Sequence, residues 1–163
     1  DKGSGNIGAT NVYRVAGKLP GVLTLVGDIL KGFLPLLACK TWLAPTPTQL
    51  GIACAVAIVG HCYPVYLKFR GGKGIATALG IFLVISPTAV LGAAIVFGLT
   101  VAISRFISLG SVLAAMAAPL LVLMLNEPQP IFLATLFIAV LIVWRHRSNI
   151  KRLIDGSEDR FKA

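Results

Sequence analysis

Charge is scarce in this sequence of 163 residues. Only 13% of it is Asp, Glu, Lys or Arg, while 56% is hydrophobic and the mean hydropathy is +0.87. A soluble domain carries about 25% charged residues, because its surface must stay wet. Half that density excludes a water-soluble globule, and the apolar content excludes a disordered chain. Cysteine is scarce as well. Cys39, Cys54 and Cys62 form no Cys-x-x-Cys pair, and Cys39 and Cys54 lie in apolar runs, where a free thiol behaves as a small hydrophobe. No disulfide scaffold, metal centre or other cofactor is expected. The apolar–polar alternation of barrel strands is missing too, because the hydrophobic runs are continuous. What remains is an integral membrane protein made of helices, of a length that suits one domain over 1–163.

Six apolar stretches stand out, at roughly 19–38, 49–67, 74–85, 88–103, 109–125 and 131–144. A helix needs about 20 residues to cross a hydrocarbon core about 30 Å thick. The first two have that length. The stretches 74–85 and 131–144 are short, so they must extend into their flanks, or 74–85 enters the bilayer only in part. A single helix over 74–103, interrupted at Ser86-Pro87, is the other reading. The expected fold is therefore an all-α, polytopic transmembrane helix bundle of about six helices.

The net charge of +9 is explained by where the cations lie. Lys2, Arg14 and Lys18 precede the first stretch, and Lys68, Arg70 and Lys73 follow the second. Arg105 separates the fourth from the fifth, and Arg145, Arg147, Lys151, Arg152, Arg160 and Lys162 follow the sixth. With six crossings these thirteen fall on one side, only Lys40 falls on the other, and Lys31 lies within the first stretch. Such asymmetry marks cytoplasmic loops and leaves both chain ends in the cytoplasm. It argues for a membrane protein, not a nucleic-acid-binding one. The chain opens at Asp1 without Met, in a glycine-rich polar segment, which predicts further residues upstream, another helix among them.

Three polar segments carry chemistry. In the first, residues 1–14, Gly3, Gly5 and Gly8 satisfy Gly-x-Gly-x-x-Gly, with Asp28 twenty residues beyond Gly8. A dinucleotide site would need a strand before the glycines and another carrying the acid. Here Gly17 and Pro20 interrupt, and Asp28 lies in a membrane-length apolar run. What survives is a small-residue loop whose backbone N–H groups can converge on an anion. Ser4, Asn6, Thr10 and Asn11 add neutral hydrogen-bonding groups, and Arg14 adds a planar fork suited to phosphate. The plainer reading is a loop that caps a helix, which does not need so many glycines and polar residues.

The second segment runs Gly60-His-Cys-Tyr-Pro64 and then Leu67-Lys-Phe-Arg-Gly-Gly-Lys-Gly74. Gly71, Gly72 and Gly74 surround Lys73 at the entrance to a helix, where backbone donors and the helix dipole favour an anion. It is not a P-loop, because Gly74 replaces the Ser or Thr after the Lys and Leu67 stands in place of the first Gly. A basic turn touching lipid headgroups is the alternative, but it would not require three glycines. His61 reads as a hydrogen-bonded residue at a helix end. The third segment is 145–158, where His146 and Asn149 share a helix face, as do Asn149 and Arg152. Much of its charge serves topology alone. Residues 105–111, ending at Ser111, add polar groups to the same side. Asp28 and Lys31, one turn apart in an apolar helix, read as a structural ion pair.

Residues 4–18, 60–74 and 145–158 together resemble the three cytoplasmic motifs of the bacterial membrane glycerol-3-phosphate acyltransferases that use acyl phosphate (the PlsY family). The likeness runs in order from Gly3 to Glu158 and includes 105–111. It implies a single integral membrane acyltransferase domain in the bacterial cytoplasmic (inner) membrane. The family fold is a seven-helix bundle whose motifs gather at the cytoplasmic face; its first helix has no counterpart here. The implied reaction moves a fatty acyl group from acyl phosphate to the 1-hydroxyl of sn-glycerol 3-phosphate. Products are lysophosphatidic acid and phosphate, at the first committed step of phospholipid synthesis. A soluble phosphate acyltransferase that makes acyl phosphate is an implied partner, and membrane lipid surrounds the site. Carried over motif by motif, Arg14 and Lys73 clamp glycerol 3-phosphate. Asn6, Thr10 and Asn11, with Gly71, Gly72 and Gly74, cradle the acyl-phosphate head together with Ser4. Ser111, His146 and Asn149 complete the pocket. Ser4, His146 and Asn149 are the catalytic candidates, with His146 near the reacting centre.

The donor has an argument of its own. CoA-dependent glycerolipid acyltransferases use a His-x4-Asp dyad, in which the acid orients the base. Five residues after His61 stands Tyr66, and five after His146 stands Lys151; there is no third histidine. Phosphate, with a second pKa of about 6, leaves readily as an anion and its oxygen can take the hydroxyl proton. A thiol, with a pKa near about 8.5, gains more from a placed acid. A transporter or channel for phosphorylated solutes is the competing class. Its path would need polar groups at the bilayer midplane, where only Asp28 and Lys31 are on offer.

Overall fold

The computed structural model describes residues 3 and 5–161, and Ser4 lies outside them. Among the described residues eight α-helices follow one another: α1 Ala9–Ala16, α2 Lys18–Trp42, α3 Pro47–Cys62, α4 Ile75–Ile85, α5 Pro87–Ser104, α6 Ile107–Met124, α7 Gln129–Arg145 and α8 Arg147–Ile154. Among the described residues there is no strand. All six apolar stretches are helical (α2 to α7), and two short helices carry the first and third polar segments. The fold is the all-α, membrane-embedded one that composition called for. Four helices are long and apolar enough to cross a membrane, namely α2, α3 with the turn that follows it, α5 and α6. Helices α7 and α8 form a further candidate span bent by 55°.

The chain divides into two compact units, Asp1–Ile85 and Ser86–Ala163. The division settles the reading of 74–103: Pro87 starts a new helix at its first turn, a position that suits a residue lacking N–H. In the first unit the helix starts are equally legible. Thr46 Oγ1 accepts from Gln49 N at 3.3 Å while Thr46 N donates to Gln49 Oε1 at 2.8 Å, a capping box with Pro47 behind it.

Helix α4 does not extend into its flanks; it stays at 11 residues, about 16 Å at 1.5 Å per residue. Its packing against α2 explains how so short a helix is accommodated. Thr77 Oγ1, in its first turn, donates to Asp28 O at 3.0 Å, and Asp28 is the eleventh residue of α2. Helix α4 thus begins roughly 12 Å along α2, not level with its start. At the far end Lys40 Nζ donates to Val84 O at 2.9 Å, giving one of the last carbonyls of α4 a partner. Glycines bring the two helices together: a Cβ on Gly32 would meet Thr77 O, and one on Gly80 would meet Ile29 O. Close backbone approach through small residues is how helices associate where no hydrophobic effect drives them.

The second unit stacks α5 on α6 and α6 on α7. Val112, Ala115, Ala118 and Val122 of α6 are buried, as are Ile131, Ala134, Ile138 and Ile142 of α7. Helix α5 buries little beyond Ala89 and exposes Leu91, Ile95, Leu99 and Ile103, a face fit for lipid.

Candidate active site

In the first unit, Asn6 and Asn11 shape the segment that leads into α1. Asn6 Oδ1 accepts from Gly8 N at 2.7 Å, and Asn11 Nδ2 donates to Asn6 O at 2.8 Å. Such side-chain bonds mimic a backbone turn. The segment folds back along α1, since a Cβ on Gly3 (φ +62°) would run into the Asn11 side chain. Thr10 and Arg14, four residues apart, share an exposed face of α1. Helix α1 lies across the start of α2, where Gly21 packs beneath Tyr13.

Loop 71–74 is laid on the C-terminal end of α3, and each glycine has its own reason to be there. Gly71 N donates to Cys62 O at 3.2 Å, and a Cβ on Gly71 would strike the carbonyls of His61 and Cys62. Gly72 lies against the His61 imidazole. Gly74 adopts φ +89°, the left-handed region, and opens α4. Lys73, half-buried, is carried between them. Lys68 differs: it is exposed in the preceding turn.

Beneath the loop is a polar group within the helices. Asp28 and His61 are buried, at 8% and 6% exposure. Lys31 Nζ stands 2.5 Å from Asp28 Oδ1, and His61 Nδ1 stands 3.9 Å from that same oxygen. The ion pair read from the i,i+3 spacing is therefore present, and it is joined by a histidine from another helix. Its contact with Gly72 makes His61 more than a helix-end residue, and no feature of spacing pointed to it.

In the second unit the chain bends between α7 and α8 at His146. Its ring is buried, and Nδ1 lies 2.8 Å from Ile142 O. Only an N–H can donate to a carbonyl, so Nδ1 carries the proton and Nε2 has acceptor character in the neutral ring. Asn149, buried one turn on, donates from Nδ2 to Glu158 Oε1 at 2.6 Å, and Arg152 Nε donates to Glu158 Oε2 at 2.7 Å. The expected common face of Asn149 and Arg152 thus serves one carboxylate. Burial alone would raise the Glu158 pKa, but the Ser108 hydroxyl, the Asn149 amide and the Arg152 guanidinium outweigh it and hold the carboxyl below its ordinary 4.5. Ser108 and Ser111 are both buried on α6. The following segment is fastened to the α5–α6 turn, with Phe161 N donating to Arg105 O at 2.7 Å and the Arg160 guanidinium 5.5 Å from the Phe106 ring centroid.

Against this geometry the likenesses to known proteins are specific. The sequence matches the glycerol-3-phosphate acyltransferase family over residues 1–156. The chain belongs to that family. It is 57% identical over 163 residues to the glycerol-3-phosphate acyltransferase of Syntrophotalea carbinolica, covering all of this chain and 83% of that protein. To the one from Geobacter sulfurreducens it is 51% identical over 161 residues, covering 99% and 82%. Among solved structures it is similar to PlsY, an integral membrane glycerol 3-phosphate acyltransferase, in its glycerol 3-phosphate form. The TM-score is 0.92 at 41% identity, over 98% of this chain and 80% of that one. The lysophosphatidic acid form gives 0.90. Membership of the glycerol-3-phosphate acyltransferase family makes the protein a membrane acyltransferase, and its helices long and apolar enough to cross a membrane agree with that.

Proposed function

We propose that the protein moves a fatty acyl group from acyl phosphate to the 1-hydroxyl of sn-glycerol 3-phosphate, at the cytoplasmic face of a bacterial inner membrane. The hydroxyl oxygen attacks the acyl carbonyl, the carbonyl–phosphate bond breaks, and the departing phosphate takes the hydroxyl proton. Lysophosphatidic acid and inorganic phosphate result. The observation that carries this reading is Lys73, held half-buried in a glycine loop at the start of a helix, where a cation and backbone donors suit a phosphate.

In the first unit, Arg14 and Lys73 take the phosphate of glycerol 3-phosphate. Gly72 and Gly74 lie at the acyl-phosphate head, with Thr10, and Gly71 fastens their loop to α3 through its N–H to Cys62 O. Asn6 and Asn11 act by shaping their loop, and Ser4 remains a catalytic candidate from the motif. In the second unit, His146, with Nδ1 committed to Ile142, accepts through Nε2 a hydrogen bond from the attacking hydroxyl. Asn149 and Ser111 add polar contacts. Without a His-x4-Asp dyad, the leaving phosphate itself serves as proton acceptor. A soluble enzyme that makes acyl phosphate is the partner this chemistry requires.

The donor decides the reading. Protein in lipid nanodiscs is given glycerol 3-phosphate with either palmitoyl phosphate or palmitoyl-CoA, and lysophosphatidate is followed. Product from the phosphate donor alone is expected; comparable rates with both would refute it. The facing is checked separately by cysteine labelling in a variant lacking Cys39, Cys54 and Cys62. Positions 18, 70, 105 and 155 should label from the cytoplasm and position 45 from outside.

A further inference from the structure

We infer that His61 and Asp28 are positioning residues for loop 71–74: the buried imidazole is the wall that sets the height of Gly72, and the Asp28 carboxylate sets the imidazole. The inference rests on the reading of that loop as a phosphate-binding one. A Cβ on Gly72 would have as its three nearest neighbours atoms of one side chain, Nε2, Cε1 and Cδ2 of His61. Gly72 has no left-handed backbone that would bar a side chain, unlike Gly74 at φ +89°. Glycine is required at 72 because of the His61 ring, and the ring is what the loop rests on.

A carboxylate lies below that ring. His61 Nδ1 faces Asp28 Oδ1 at 3.9 Å, and Lys31 Nζ holds that same oxygen at 2.5 Å. A charge in a membrane helix is costly and persists where it is paired and has a task. Asp28 is also tied to α4, through Thr77 Oγ1 donating to its carbonyl at 3.0 Å. One residue of α2 therefore touches the helix that follows the loop and faces the side chain that supports the loop. Lys73, the next residue after Gly72, takes its height from this stack. A displacement of about 1 Å at such a place can cost about 10²-fold in rate.

The test is a suppressor experiment on kcat and KM for glycerol 3-phosphate. Gly72→Ala is expected to lower kcat/KM by about 10²-fold, as the methyl lifts the loop off the ring. His61→Ala is expected to raise KM about tenfold with kcat nearly kept, the sign of lost binding and not of lost chemistry. The double variant Gly72→Ala with His61→Ala should recover to the level of His61→Ala, because the obstacle is gone. Gly71→Ala, whose methyl meets main-chain carbonyls, should not be rescued by His61→Ala. Asp28→Asn should raise KM and add nothing further to His61→Ala, since the two act as a unit.

A double variant as poor as Gly72→Ala, or losses at Asp28 and His61 that multiply, would overturn the inference. If His61→Ala does not accumulate, His61→Asn replaces it in the same pairings, with the same outcomes read. Lys73→Ala separates the two levels. If it lowers kcat/KM while suppression fails, only the positioning role falls. If it changes nothing, the phosphate-binding reading of the loop falls and takes this inference with it.

Discussion

In the first unit loop 71–74 is held by close approach: Gly71, Gly72 and Gly74 let it lie on the end of α3, and Lys73 rides on it. In the second they are held by hydrogen bonds: Glu158 gathers Asn149 and Arg152, and His146 is tied to Ile142. Packing by glycine shapes the loop through backbone alone. A carboxylate fan instead consumes the charge of Arg152 in holding structure. The difference teaches that two basic segments of similar composition can be held in different ways, one by close packing of backbone and one by a carboxylate.

Five substitutions sharpen or break that contrast. Lys73→Ala should cost about 10²-fold in turnover, the scale of one donor lost from a partly desolvated anion site, with the melting temperature in detergent unchanged. A parallel fall in melting temperature would erase the contrast. Glu158→Ala should cost about 1.5–3 kcal/mol of stability, the scale for hydrogen bonds to a charged group, and lower the melting temperature together with activity.

The same carboxylate predicts a pH response. Its pKa is lower in the folded protein than the ordinary 4.5, so the unfolded chain binds more protons there. The stabilisation is fully present above that ordinary value and is lost as pH falls below it through the folded value. Glu158→Gln should flatten this part of the acid unfolding curve. An unchanged slope would mean that the fan contributes nothing. Smaller again is Arg160→Ala, which removes a cation from the Phe106 ring and should cost about 0.5–1 kcal/mol. Smallest is Lys68→Ala. Lys68 is exposed, so neither turnover nor melting temperature should move. An effect equal to that of Lys73→Ala would return loop 71–74 to a plain headgroup-binding turn.

Much of the architecture was legible in the sequence. Low charge and continuous apolar runs required membrane helices, and Ser86-Pro87 marked a break between two of them. The three polar segments could be named, and the Asp28–Lys31 pair followed from one turn of helix. The ends of α4 were legible, since the apolar stretch 74–85 is the helix Ile75–Ile85, but its depth was not, because hydropathy counts apolar residues and not the level at which a helix begins. Only the approach of Thr77 to Asp28 shows that α4 starts part-way along α2.

By itself, then, the sequence determined what depends on neighbours along the chain: helix, cap, apolar length, and the family to which the motifs belong. Tertiary structure alone decided which side chains meet across helices. It brought His61 under Gly72 and beside Asp28, thirty-three residues away. It also set Glu158 against Asn149 and Arg152, and gave Asn6 and Asn11 to loop building. The physical reason is that a buried polar group must find its partner in space, and where that partner comes from is settled by packing, which no local pattern records.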